Sequence, residues 1–164
     1  MTDQLFVVRR GEVRDAMLLR SIRLESLRDT PEAYGSTYEE ARTWSDERWQ
    51  SLARQWHFHL AERDGNVVGM VSGGLNDHAP GTHWMYGMYV APPSRGTGAA
   101  TQLVEVTCDW ALAKGADSLY LHVTESVARA RAFYEKCGFR STGGSITMDR
   151  DPSIRLMTMV KNLD

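Results

Sequence analysis

The chain has 164 residues, enough for one hydrophobic core and too few for two domains of ordinary size. Its formal net charge is −2 at pH 7, which excludes a general electrostatic footprint for nucleic acid, and 42% hydrophobic with 24% charged residues is the balance of a globular domain. The apolar runs are strand-length, short of the roughly 20 residues that span a bilayer.

The start of the chain, with acidic Asp3 and a short apolar run from Leu5 to Val8, does not read as a signal peptide. Cys108 and Cys137 both fall on predicted helices and form no disulfide framework. The expectation is a reduced, cytoplasmic protein of one domain, residues 1–164, with no membrane and no nucleic-acid partner.

Leu5 to Arg9 reads as a first strand, broken by Gly11. Glu12 to Arg28 reads as a helix, with Val13, Met17, Leu18, Ser21, Leu24 and Leu27 at three- and four-residue steps. Arg14, Arg20, Arg23 and Arg28 take the other positions and read as a solvated face. Asp29-Thr30-Pro31 ends this helix, because the residue before proline avoids helical angles. Ser36 to Ala53 is a second helical region, with a break near Thr43–Asp46 and Ser45 as a helix cap.

His57 to Arg63 and Val67 to Leu75 read as strands joined by the hairpin turn Arg63-Asp64-Gly65-Asn66. A polar loop, Asn76 to Gly81, leads to a strand from Thr82 to Val90. Gly98 to Lys114 is a long helix with Leu103, Val106, Thr107, Trp110 and Ala111 on one face and Gly115 as its stop. Ser118 to Val123 is a strand and Ser126 to Cys137 a helix. Phe139 to about Ser145 and Ile154 to Val160 are two last strands, joined by a turn-rich loop. Meandering strands come first and helical crossovers follow, so a mixed α/β sheet is expected.

One stretch carries chemistry. The strand ending at Met88-Tyr89-Val90 is stopped by Pro92 and Pro93, which cannot donate to a ladder. The turn Arg95-Gly96-Thr97-Gly98 follows, and the long helix starts at once through Ala99 and Ala100. The first amides of a helix have no partner within it, and the dipole adds roughly 0.3–1 kcal/mol toward an anion. Arg95 adds a forked cation. The pattern suits a phosphate or pyrophosphate. It is neither a Walker loop nor a dinucleotide fingerprint, since no Gly-Lys-Ser/Thr follows and Thr101 stands where a third glycine belongs.

A second signal lies on the last helix, where Val127, Ala130, Tyr134 and Cys137 share one face. Together, Val90-x-Pro92-x-x-Arg95-Gly96-x-Gly98-x-Ala100 and Ala130-x-x-Phe133-Tyr134-Glu135-Lys136-x-Gly138-Phe139 resemble the GNAT N-acetyltransferases. Those enzymes move an acetyl group from acetyl-coenzyme A to an amine. The resemblance implies a mostly antiparallel sheet of about seven strands, splayed between strands 4 and 5 and flanked by four helices. It implies that the amides of Arg95, Gly96, Thr97, Gly98, Ala99 and Ala100 hold the coenzyme's pyrophosphate. Met88, Tyr89 and Val90 would pair with the pantetheine arm, and Tyr134 would stand beside the thioester sulfur as its proton donor. The family often has asparagine where this chain has Val127, so either Ser126 or Thr124 supplies that contact or the contact is lost.

The general base is not legible; His83 and Glu40 are candidates by residue type, and a chain of waters is an equal alternative. His57 and His59 sit at a metal-ligating spacing but have no third ligand, so no metal is expected. Cys108 lies mid-helix without a base and reads as a packed thiol. The aromatics Tyr34, Trp44 and Trp84 suggest an apolar or flat acceptor, and Glu32, Glu39 and Glu40 a cationic one. The expected activity is direct acetyl transfer from acetyl-CoA to a primary amine of a small molecule or peptide. The rival reading is a non-catalytic acyl-CoA sensor, and the last strands leave a homodimer open.

Overall fold

The computed structural model describes residues 6–164; Asp3 and Leu5 of the sequence reading lie outside the described residues. Seven strands form one sheet: β1 (Val7–Arg10), β2 (His57–Arg63), β3 (Asn66–Asn76), β4 (Ala79–Val90), β5 (Ser118–Thr124), β6 (Arg140–Met148) and β7 (Asp151–Asn162). Their spatial order is β1-β2-β3-β4-β5-β7-β6. Every neighbouring pair is antiparallel except β4 and β5, which run parallel.

That parallel pair makes the opening on which the site depends. Its register runs only from His83↔Leu119 to Met85↔Leu121. β4 continues to Val90 and β5 to Thr124 without pairing to each other, so the sheet parts there. On its other edge β4 stays bound to β3, but the register shifts between Met70↔Tyr89 and Ser72↔Tyr86. Gly87 lies in that bulge with φ +62°. A bulge takes glycine readily in the left-handed region and re-aims the strand beside it.

Helices cover both faces. On one side α1 (Ala16–Asp29), the single turn α2 (Tyr38–Ala41) and α3 (Asp46–Gln55) bury Leu19, Leu27 and Trp49 against Phe58 and Leu60. On the other, α4 (Ala99–Ala113) and α5 (Ala128–Lys136) bury Leu103 and Tyr134 with Leu119, Leu121 and Met159. Each large apolar side chain removed from water in this way contributes roughly 1.5–3 kcal/mol. Among the described residues no helix is long and apolar enough to cross a membrane.

The expected splay, strand number and four long helices are present, and the helix break near Thr43–Asp46 separates α2 from α3. Ser45 caps α3, its side chain accepting from the Arg48 amide at 3.2 Å.

Three expectations change. The buried stripe of α1 is Ala16, Leu19, Ile22, Ser26 and Leu27, while Met17 and Leu18 are 45% and 41% exposed. Both stripes satisfy the helical period; the sheet selects the one rotated toward Phe58 and Leu60. The loop from Asn76 to Gly81 shrinks to a turn at Asp77–His78, because Asn76 pairs with Ala79. The last loop likewise shrinks to Asp149–Arg150, because Met148 pairs with Asp151. Polar residues join a ladder when a neighbouring strand offers its hydrogen bonds.

Candidate active site

The turn after β4 is built as an anion cradle. Residues Pro92–Ser94 form one 3-10 turn, and the Arg95 amide donates to the Pro92 carbonyl at 3.2 Å. The Arg95 N–H is therefore spent. The N–H groups of residues 96–101 have no main-chain acceptor among the described residues. Gly96 and Gly98 hold φ +75° and +94°, which bends the chain so that these amides converge at the start of α4. Gly98 is the cap residue and brings no side chain of its own to satisfy them.

Arg95 is not the free fork expected from sequence. Its Nε donates to the Val90 carbonyl at 2.9 Å and an Nη to Asp29 Oδ2 at 2.6 Å. It ties the turn to the end of β4 and to the end of α1. The Asp29 carboxyl is held below the ordinary carboxylate range, chiefly by this contact. A second arginine, Arg129 on α5, lines the same cavity and donates to Thr30 Oγ1 at 3.3 Å. Sequence reasoning missed Arg129, although it sits two residues past Val127.

This first cavity is about 470 Å³. Met88, Tyr89, Val90, Arg95, Gly96, Gly98, Ala100 and Tyr134 line it. Thr97, Ala99 and Ser126 do not line it; Thr97 turns its hydroxyl to the Ser94 carbonyl. Val127 does line it, and the Thr124 hydroxyl donates instead to the Glu32 carbonyl at 2.8 Å. Free amides, Arg129 and the edge of β4 that no strand pairs with together suit a diphosphate that continues into an extended arm. Neither Ser126 nor Thr124 brings its side chain to this cavity beside Val127.

A second cavity of about 490 Å³ opens on the other side of the splay. Ala33, Tyr34, Met88, Val127, Ala130 and Tyr134 line both cavities and form the throat between them. Burial pushes the Tyr134 phenol well above its ordinary value, so at neutral pH it is a proton donor. Tyr34 donates its hydroxyl to the Met88 carbonyl at 2.8 Å, and burial pushes its own pKa up to about 12.

His122 lines the second cavity, one residue beyond the last β4–β5 pair. Its Nδ1 lies 3.3 Å from Thr158 Oγ1, and its ring rests on Trp84 at 4.6 Å between centroids. Desolvation lowers its pKa, so the ring is neutral at pH 7. Sequence reasoning passed over His122 inside its strand.

His83 is the opposite case. It faces the α4 side, its ring 5.4 Å from Trp110, and lines neither cavity. Glu40 is exposed on α2, away from both. Of the expected acceptor-site groups only Tyr34 lines the second cavity; Trp44 packs on Trp49 at 5.1 Å and Trp84 supports His122. Glu32, Glu39 and Glu40 are not among its lining. Burial raises the Cys108 thiol, and His57 stacks on Trp110 at 5.2 Å.

A mycothiol acetyltransferase of Beutenbergia cavernae is 32% identical over 109 residues. The match takes in 66% of this chain but only 36% of that relative, so the chain spans well under half the relative's length. A GNAT-family acetyltransferase of Streptococcus pneumoniae superposes with TM-score 0.79 at 18% identity, over 98% of this chain and 100% of its own. A Salmonella typhimurium protein described as an acetyltransferase, solved with its cofactor acetyl-CoA, superposes with TM-score 0.78 at 19% identity, over 98% and 95%. At such identities the two structures speak for the fold. Residues 20–139 match the acetyltransferase (GNAT) family, most of the chain and both of its site motifs, and the protein belongs to that family.

Proposed function

We propose that this chain transfers the acetyl group of acetyl-coenzyme A directly to a primary amine. The observation that carries the reading is the junction at Tyr34, Met88 and Tyr134. There a cavity headed by free amides meets a cavity containing a neutral histidine. The amides of residues 96–101 hold the diphosphate, and the unpaired edge of β4 guides the pantetheine arm toward Tyr134. The coenzyme supplies a thioester, activated toward attack by nitrogen.

The acceptor arrives as an ammonium and must lose a proton before it attacks. His122 takes that proton and passes it to water. As the carbon–nitrogen bond forms, the carbonyl oxygen gains charge, and the Met88 amide at the bulge stabilises it. The carbon–sulfur bond then breaks. Tyr134 gives its proton to the departing sulfur and is restored by the second proton of the attacking nitrogen. The products are the N-acetyl amine, free thiol and one proton.

The test is thiol release from acetyl-CoA across a panel of primary amines, beside a thermal shift with coenzyme A. Turnover with at least one amine is expected. Tight coenzyme binding without turnover on any amine would favour a sensor, and no binding at all would remove both readings.

A further inference from the structure

The second cavity contains a charge that no carboxylate among the described residues answers. Arg23, on α1, lines it with its guanidinium carbon 4.7 Å from the Tyr34 ring centroid. Its Nε is buried without a hydrogen-bond partner. No carboxylate forms an ion pair with it among the described residues. Desolvation pulls its pKa down, and only the Tyr34 side chain opposes that pull. Burying a cation without its counterion costs several kcal/mol. The other charged groups of the lining lie at the exposed turn between β6 and β7. There Arg150, exposed beside Asp149, donates through one Nη to the Pro31 and Tyr34 carbonyls at 2.6 and 3.0 Å and through Nε to the Tyr34 carbonyl at 3.2 Å.

Position makes the charge informative. An Arg23 Nη lies 3.4 Å from where a Cβ on Gly87 would stand. Gly87 precedes Met88, which lines the throat. An anion on Arg23 would therefore sit close to the nitrogen that reaches the thioester. The lining also includes apolar side chains, Leu121 and Met148 buried and Leu156 and Ile146 nearer the surface.

Resting on the transferase reading above, we infer that the acceptor is an α-amino acid with an apolar side chain, its carboxylate held by Arg23. A carboxylate one carbon from the nitrogen keeps the anion and the attacking group adjacent, as Arg23 beside Gly87 and the throat residue Met88 requires. The planar fork of arginine accepts a carboxylate through two parallel hydrogen bonds, stronger than neutral ones. The apolar walls then receive the side chain.

Rates of thiol release test this with L-leucine against isopentylamine and L-phenylalanine against phenethylamine, each referred to its free-amine fraction. In the unmodified protein kcat/KM should favour the amino acid of each pair at least tenfold. In Arg23→Gln that ratio should fall toward one, through KM more than kcat; Arg23→Lys should keep part of it. Equal or reversed preference in the unmodified protein overturns the proposal, whether or not the variants fold. So does an equal loss for both members of a pair in Arg23→Gln. Should no amine be acetylated, the transferase reading fails on its own account. Calorimetric titration of N-acetyl-L-leucine and N-isopentylacetamide into the protein–coenzyme A complex then decides this one. Tighter binding of the carboxylate supports it, and equal or absent binding overturns it.

Discussion

At the scale of single residues, the proposed chemistry divides between two protonation states fixed by burial. Tyr134 keeps its proton because a phenolate there would be desolvated, and His122 stays without one because an imidazolium would be. Tyr134→Phe should therefore lower kcat by about 10²-fold while coenzyme affinity persists. Full turnover of that variant with both substrates saturating would dismiss the role. For His122 the signature is the acid limb of kcat/KM. The base works when neutral, so the rate should hold as pH falls and decline only below histidine's ordinary 6.5. That limb should vanish in His122→Gln, and an unaltered profile in the variant would place the base elsewhere. Tyr134 was legible in the sequence because the helical period and a neighbouring motif both point to it. His122 was not, because alternation along a strand gives two faces without saying which meets the cavity. The same ambiguity made His83 a candidate, and the structure turns it toward Trp110.

At the scale of elements, the turn into α4 depends on glycine for its backbone rather than for space. No atom lies within 4 Å of a Cβ added at Gly98, yet its φ of +94° is one that L-residues resist. Gly98→Ala should cost about 1–2 kcal/mol of stability. Relaxing that strain would swing the amides of residues 96–101 out of convergence, so coenzyme affinity should fall too. Denaturant titration and a coenzyme A binding isotherm read the two effects; an alanine variant as stable and as tight as the parent would refute the account. This element was readable in advance because prolines, glycines and a helix start are local instructions. The phase of α1 was not. Two apolar stripes obey the same period, and the choice between them decides whether Arg23 faces water or the cavity.

At the scale of the whole molecule, an ion cluster joins three elements at one edge of the sheet. Arg9 of β1 reaches Asp15, before α1, with two bonds of 2.9 Å, and Glu62 of β2 at 3.0 Å. Asp15 also accepts from the Glu12 amide at 2.9 Å. Its side chain is 6% exposed, and the Arg9 contact holds its carboxyl below the ordinary 3.8. Asp15→Asn should cost about 1.5–3 kcal/mol at neutral pH. Because the folded pKa is depressed, that contribution is whole above 3.8 and is lost as pH falls through the folded value. The stability gap between variant and parent should close in acid, and a gap independent of pH would show that the charge is not what matters.

The sequence by itself determined the strand–turn–helix cradle, the tyrosine on the last helix and the order of elements. Each is written in neighbouring residues through backbone freedom, missing amide protons and side-chain period. Only the tertiary structure decided which faces look into the splay. Those faces bring His122 and Arg23 to one cavity, leave His83 against Trp110 and spend Arg95 on Asp29. Such pairings join residues from different elements. They follow from how helices seat on a sheet, which no local pattern encodes.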